Sequence, residues 1–248
     1  MKQSLRIFPT LTILNNDLVK TVDYKNPRYL GDPINAIKLF NNKNVDEIAI
    51  LDISSRFNKN SSEINYALLQ EMAQEAFVPL SYGGNIKSAI VADKIINLGF
   101  EKVILNSLLF ENHTEVKKIV SKLGSQSVVI KIDYTIQKDQ FLVSYNEGNS
   151  IKEYSFTSLV DLINNSGAGE VILSRKNYDG KMSAFDFNNI KPFLDKISIP
   201  LVLSHGAKDK YSILNASENG FLNFTAGSMY VFYGNLKGIL INDPFFKL

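Results

Sequence analysis

At 248 residues the chain has room for one large domain or two small ones at ~150 residues per domain, and single α/β barrels run to about 250 residues. Its apolar share of 45% and charged share of 21% exclude disorder and collagen-like repetition, and a net charge of +2 from 27 basic and 25 acidic residues is too small for a nucleic-acid partner. Without cysteine there is no disulfide framework, thiolate metal site or Cys nucleophile, and the two histidines, His113 and His205, stand too far apart to argue for zinc, so neither metal nor cofactor is expected.

In chain order, short β-branched runs alternate with segments of helical period. Strands are predicted at 5–12, 47–53, 78–82, 102–106, 127–134, 170–174, 200–204 and 222–227, and helices at 33–42, 62–74, 88–98, 114–123, 155–165, 187–194 and 210–218. Loops fall at Asn/Gly-rich stretches such as 58–60 and 177–180. The runs 140–145 and 151–154 break the rhythm and read as a hairpin on the loop after the fifth strand. Such alternation implies parallel strands joined by crossover helices, and eight strands with no linker favour a closed barrel, a single domain over 1–248. No apolar run approaches the ~18 residues of a transmembrane span, and the first ten residues lack a signal-peptide core, so a cytoplasmic chain without a membrane partner is expected.

An internal repeat supports closure. Pro79, Gly99 and Ser107 recur as Pro200, Gly220 and Ser228, and each pair is separated by 121 residues (200 − 79, 220 − 99, 228 − 107). The chain thus reads as two similar half-barrels, about 1–123 and 124–248. Functional groups of such barrels gather at the C-terminal strand ends. There, Gly83 and Gly84 with Asn106 and Ser107, and Gly206 with Gly227 and Ser228, place glycine turns ahead of helix N-termini, a geometry suited to phosphate. The same glycines read equally well as tight strand-to-helix turns, since Asn85 stands where a third glycine would help and His205 interrupts the second cluster.

These residues resemble the cyclase subunit of imidazole glycerol phosphate synthase, a twofold-repeated TIM barrel of histidine biosynthesis. The resemblance runs through RIFP at 6–9, LVK at 18–20, Gly31 to Pro33, Asp46 and Glu47, LDI at 51–53, GGNI at 83–86, KVILNS at 102–107, GSQ at 124–126, Ile132 and Asp133, GAGE at 167–170, and Asp179 with Gly180. It implies a glutaminase partner docked at the N-terminal end of the barrel, from which ammonia crosses to two aspartates acting as general acid and base on a bis-phosphorylated ribulosyl substrate. One of those aspartates matches Asp133. The other position holds Thr12, its repeat equivalent (133 − 12 = 121). A threonine hydroxyl cannot relay protons as a tuned carboxyl does, and losing such a group commonly costs ~10²–10⁴ in rate. Ser204 to Lys208 also departs from the family's glycine pattern, and Lys181 replaces a usual threonine.

Alternation along the fifth strand sets Ser127, Val129, Lys131 and Asp133 on one face, which the resemblance turns into the barrel. Lys131 then reads as a structural ion-pair partner of Asp133, as a side chain turned outward by another register, or as a group that alters ammonia traffic or substrate charge. The four charges that gate ammonia in the family match Arg6, Glu47, Lys102 and Glu170. A balanced ring at the bottom of a barrel serves either as a conduit or as scaffold. The resemblance further places Lys20, Asp52, Asn106, Asp133 and Ser174 at the upper mouth, and Asp179 and Gly180 among the substrate-binding positions.

Segments 26–36 and 226–244 resemble the branch of this family that modifies acetamido sugars to acetamidino sugars in surface-polysaccharide synthesis. The aromatic terminal segment reads equally as core packing of a last helix. The leading expectation is a subunit that receives ammonia from a glutaminase and delivers it for amidination of a phosphorylated or nucleotide-linked sugar, with an ATP-dependent amidotransferase as a further partner. The alternatives are a diverged cyclase of histidine biosynthesis, in which Asp133 carries both proton transfers, and a non-catalytic activator of a glutaminase.

Overall fold

The computed structural model describes residues 5–43, 45–57, 63–234 and 236–245. Eight parallel strands close on themselves: β1 (Arg6–Leu14), β4 (Ile48–Asp52), β5 (Leu80–Gly83), β6 (Lys102–Leu105), β7 (Val128–Gln137), β10 (Glu170–Arg175), β11 (Leu201–Leu203) and β12 (Asn223–Ala226), with β12 returning to β1. Helices cross over outside them: α1 (Pro33–Asn41), α3 (Tyr66–Glu75), α4 (Ala89–Asn97), α6 (His113–Leu123), α7 (Phe156–Asn164), α8 (Phe187–Leu194) and α9 (Lys210–Glu218), with two short turns at the mouth, α2 (Ser54–Phe57) and α5 (Ser107–Glu111). This is the (β/α)8 barrel that the alternation predicts. Short polar residues start the helices where the chain leaves the sheet. Asp32 accepts from the Asn35 N–H ahead of Pro33, Ser88 accepts from Val91, and Asp209 and Ser212 form a reciprocal capping box. The predicted 62–74 helix starts later, at Tyr66, because Asn65 caps it. The predicted 58–60 loop lies outside the described residues.

Two cores follow from strand alternation. Outward residues such as Leu11, Ile13, Ile50 and Val103 pack beneath the helices. Inward residues stack in layers along the bore. Phe8, Ala49, Ile104, Val129, Ile172 and Val202 form a separate apolar cluster across its middle. A ring of charged side chains lies below that plug, and both charged and polar side chains lie above it.

Two strands overrun the barrel. β7 continues to Gln137 and pairs with β8 (Gln140–Tyr145), which pairs with β9 (Ser150–Tyr154), so the hairpin predicted after the fifth strand is present. β1 does the same with β2 (Asp17–Val22) and β3 (Lys25–Gly31), a meander absent from the sequence reading. Its turns are made by Asn15 with Asn16 and by Asp23 with Tyr24, all at positive φ. Asn-Asn is a legible signal for such a turn, whereas a tyrosine at φ 60° is not. The chain's aromatic end is not a full-length helix. It is a four-residue turn, α10 (Ser228–Val231), whose residues are all buried, followed by the small hairpin β13 (Phe232–Tyr233) and β14 (Gly238–Ile239). Tyr230 meets Phe40 edge-to-face at 5.7 Å, so residues 228–231 are core packing, whereas Tyr233, Leu236 and Leu240 beyond them are exposed.

Candidate active site at the barrel mouth

At the N-terminal end of the bore, the residues that open β1, β6 and β10 and precede β4 converge. Arg6 donates to Glu47 at 2.5 Å and to Glu170 at 2.6 Å, while Lys102 reaches Glu47 at 2.8 Å and Glu170 at 3.7 Å. The four side chains expected to gate ammonia therefore form one closed ring of alternating sign. Burial pushes the Glu47 carboxyl up, but Lys102 and Arg6 outweigh it and hold it below the usual range. The ring faces the middle apolar layer through Phe8, over whose face the Arg6 guanidinium sits at 4.6 Å.

At the other end, β7 presents Lys131 and Asp133 inward. Lys131 is 6% exposed and donates to Asp133, so the inward register and the ion pair are realised and the outward one is not. Tyr24 reaches over from the tip of the β2–β3 hairpin: its hydroxyl donates to Asp133 at 2.7 Å, lies 2.8 Å from the Ser174 hydroxyl, and accepts from Lys131 at 3.4 Å. Burial, and next the Asp133 charge, push the Tyr24 phenol well above its ordinary range, so it remains a donor. Asp179 clamps this tip. It accepts from Lys20 at 2.7 Å, from Thr21 at 2.9 Å and from the Tyr24 N–H at 3.0 Å. Lys181 adds an ion pair to Asp23 at 2.8 Å, which gives a role to its departure from threonine.

Tyr24 and Lys131 stand between two cavities. The larger, about 280 Å³, is lined by Asp52, Gly83, Gly84, Asn106, Ser107 and Asp133, and also by Arg56, Lys87 and Lys176. The smaller, about 80 Å³, is lined by Thr10, Thr12, Lys20, Ser174, Asp179 and Gly227. Gly84 has φ +157°, and a Cβ there would lie 2.6 Å from that of Asp52, so only glycine fits the turn. Asn85 takes the left-handed conformation itself at φ 48°. Asp52 accepts from the Ser54 N–H and from Tyr82, Asn106 donates to the Lys131 carbonyl at 2.8 Å, and the Ser107 hydroxyl accepts from the Asn146 N–H at 2.8 Å. Burial, with Arg56 close by, lowers the Lys176 amine below its usual range.

The second glycine cluster is less open. Gly206 is buried beneath Phe185, which would meet an added Cβ at 2.6 Å, and lines neither cavity. A Cβ added at Gly227 would meet the Lys20 side chain at 3.1 Å, Ser228 is buried with no partner for its hydroxyl among the described residues, and the Gly180 carbonyl accepts from Lys237 at 3.2 Å. The structure thus gathers the first cluster around a cavity and fills most of the second with side chains.

His205, which interrupts that second cluster, is packed among Tyr134, Tyr178 and Phe185, and its Nδ1 accepts from the Arg175 N–H at 2.8 Å. Burial, and next Arg175, lower the imidazole from 6.5 to about 3. The unfolded chain therefore binds a proton below about 6.5 that the folded chain refuses. Stability is expected to be flat above that pH and to fall towards pH 3 by about 1 kcal/mol per unit from this group. Denaturant titrations between pH 4 and 8 check this: His205→Gln should lose that part of the slope, and an unchanged slope would reassign it to the carboxylates.

A model of the histidine biosynthesis protein family matches residues 6–237. The chain belongs to that family. Within it, the chain is 38% identical over 242 residues to the putative imidazole glycerol phosphate synthase subunit HisF of Leptospira borgpetersenii, covering 96% of this chain and 94% of that protein. It is 36% identical to the putative subunit hisF2 of Pseudomonas aeruginosa, covering 96% and 95%. Identity to the imidazole glycerol phosphate synthase subunit HisF of Petrotoga mobilis is 30%, covering 91% and 89%. The chain is thus a HisF-like member of the histidine biosynthesis family. Among the described residues, no helix is long and apolar enough to cross a membrane, and no three His, Asp or Glu side chains are grouped to hold a metal.

Within this family member, sequence reasoning missed Tyr24, Arg56, Lys87 and Lys176. Arg56 and Lys176 follow the C-terminal ends of β4 and β10, the position where barrel chemistry collects, and that rule alone could have raised them. Tyr24 carried no comparable signal, because its place depends on a hairpin that was not predicted.

Proposed function

We propose that this chain is the ammonia-using, HisF-type synthase subunit of a glutamine amidotransferase complex. A glutaminase would dock on the ring face, and ammonia would pass the ring to react at the mouth with a phosphorylated carbonyl substrate. The observation that carries this is the placement of the closed Arg6–Glu47–Lys102–Glu170 ring and the Asp133 cluster at opposite ends of one bore. Phe77, 85% exposed on the loop before β5, supplies an apolar anchor on the docking side. The glycine turn at 83–84 and the cations Arg56, Lys87 and Lys176 suit a phosphate. The larger cavity, about 280 Å³, is just below the ~300–1,000 Å³ usual for ligand pockets and adjoins the smaller one across Tyr24 and Lys131.

The names of the relatives favour a reaction of the imidazole glycerol phosphate synthase type; on that reading the chain cyclises the substrate and Asp133 handles the protons. One observation favours a second reading, amidination of a sugar with help from an ATP-dependent partner: Thr12 replaces the second carboxylate, and it borders only the smaller cavity. Complementation of a histidine auxotroph lacking its cyclase subunit, with the cognate glutaminase co-expressed, separates them. Growth is expected on the first reading. Absence of growth together with glutamine-dependent transfer of nitrogen to an acetamido sugar would establish the second. If neither occurs but glutaminase turnover rises, the chain is an activator and the proposal fails.

A further inference from the structure

Proton handling by Asp133 leaves Lys131 without a chemical part. A buried ammonium is unfavourable, and the barrel does not need one there: the equivalent position on β1 (131 − 121 = 10) is Thr10, which simply bonds to Thr225. Lys131 borders both cavities, and its nitrogen contacts the Asp133 carboxylate and, at 3.4 Å, the Tyr24 hydroxyl. The Asn106 side chain holds the Lys131 carbonyl at 2.8 Å and so anchors the strand at that residue. A primary amine beside a carboxylate and a phenol, opening on a cavity with an anion-binding end, has the parts for attack on a carbonyl: a nucleophile, a proton carrier and a donor to the oxygen.

We infer that Lys131 is a covalent catalyst that forms an iminium with the carbonyl carbon of a phosphorylated ketose derivative held in the larger cavity. The Lys131 ammonium passes a proton to Asp133, and the freed lone pair bonds to the carbonyl carbon. The C=O π pair moves to oxygen, which takes the proton from Asp133, and Tyr24 donates a hydrogen bond there. The carbinolamine nitrogen passes a further proton through Asp133 to that hydroxyl. Water leaves with the C–O electron pair, and the nitrogen lone pair closes the C=N bond. The balance is R–NH3⁺ plus a ketone giving R–NH⁺=C and one water. Release rests on the proposed function: ammonia adds to the iminium carbon, the C–N bond to Lys131 breaks, and Lys131 departs as R–NH3⁺ while the substrate keeps a neutral imine. An iminium carbon accepts ammonia with less acid assistance than a ketone, so this route lessens the need for the carboxyl missing at Thr12.

Borohydride trapping tests it without partner or ammonia. D-Ribulose 5-phosphate is a suitable probe, because its phosphorylated O5 cannot close a ring on C2 and its carbonyl stays open. Incubation of the full chain with this sugar and sodium borohydride should give one reduced adduct per chain, mapped to Lys131 by peptide mass spectrometry. Lys131→Arg, which keeps a positive charge opposite Asp133, should lose the adduct and lose ammonia-dependent turnover at least tenfold while melting close to wild type. Absence of an adduct in the wild type, the same adduct in Lys131→Arg, or undiminished turnover in that variant would overturn the inference and leave Lys131 a structural ion-pair partner. Trapping on Lys131 without any nitrogen transfer would retire the proposed reaction and leave the Lys131 assignment standing.

Discussion

Asp133→Asn is expected to lower ammonia-dependent turnover ~10²–10⁴-fold at saturating ammonium, the usual cost of removing a general acid/base. Asparagine nearly matches the shape, so Tyr24 and Ser174 keep their places, and the loss isolates the charge and the proton. The same substitution strands Lys131, 6% exposed, without its carboxylate. Removing one member of a buried pair costs up to ~3–5 kcal/mol, so the melting temperature should fall as well. Pairing Asp133→Asn with Lys131→Met removes both charges and should recover much of that stability while turnover stays low. Turnover within tenfold of wild type in Asp133→Asn, measured with ammonium salt as nitrogen source, would remove Asp133 from the chemistry.

Opening the bottom ring should have a different signature. In Arg6→Ala, two carboxylates with side chains only 5% and 10% exposed are left to share Lys102. A loss of about 3 kcal/mol is expected, at the low end for buried pairs because Arg6 itself is partly exposed. Glu47, now held below the usual carboxylate range, contributes stability that is present above the unfolded value near 4.3 and is lost as pH falls through its folded value. Arg6→Ala should therefore reduce the acid-side fall in stability as well as the plateau. For function, the telling quantity is a ratio. Glutamine-driven turnover with the partner should drop roughly tenfold, a change of about 1.4 kcal/mol in coupling, while turnover on added ammonium changes little. Equal losses by both routes would make the ring scaffold rather than passage.

The two ends of the barrel differed in how much of them could be read beforehand. Arg6, Glu47, Lys102 and Glu170, matched through the resemblance, sit at or beside strand starts, and their side chains meet in one ring. Alternation set Lys131 and Asp133 on one face, but left open for Lys131 the outward register that the structure excludes. The mouth is built from loops, whose paths depend on what they rest against. Tyr24 lies 109 residues from Asp133 in sequence, and its position is set by the left-handed turn at Asp23 and Tyr24 and by the grip of Asp179. Neither leaves a periodic trace. The second glycine cluster is divided for a related reason: Phe185, 21 residues earlier, covers Gly206, while Gly227 borders the smaller cavity beside Lys20.

Alternating short apolar runs and a constant 121-residue offset were enough to point to a barrel of two halves, because these depend on local period, while the family and the charges at its base were read from the resemblance of short motifs. Only the tertiary structure decided that the mouth is split by Tyr24 and Lys131, that the first glycine turn opens on the larger space, and that Lys131 meets a carboxylate and a phenol at one point. Those facts rest on side chains from distant loops meeting across the barrel axis, where packing and charge pairing, rather than any local preference of the chain, select the arrangement.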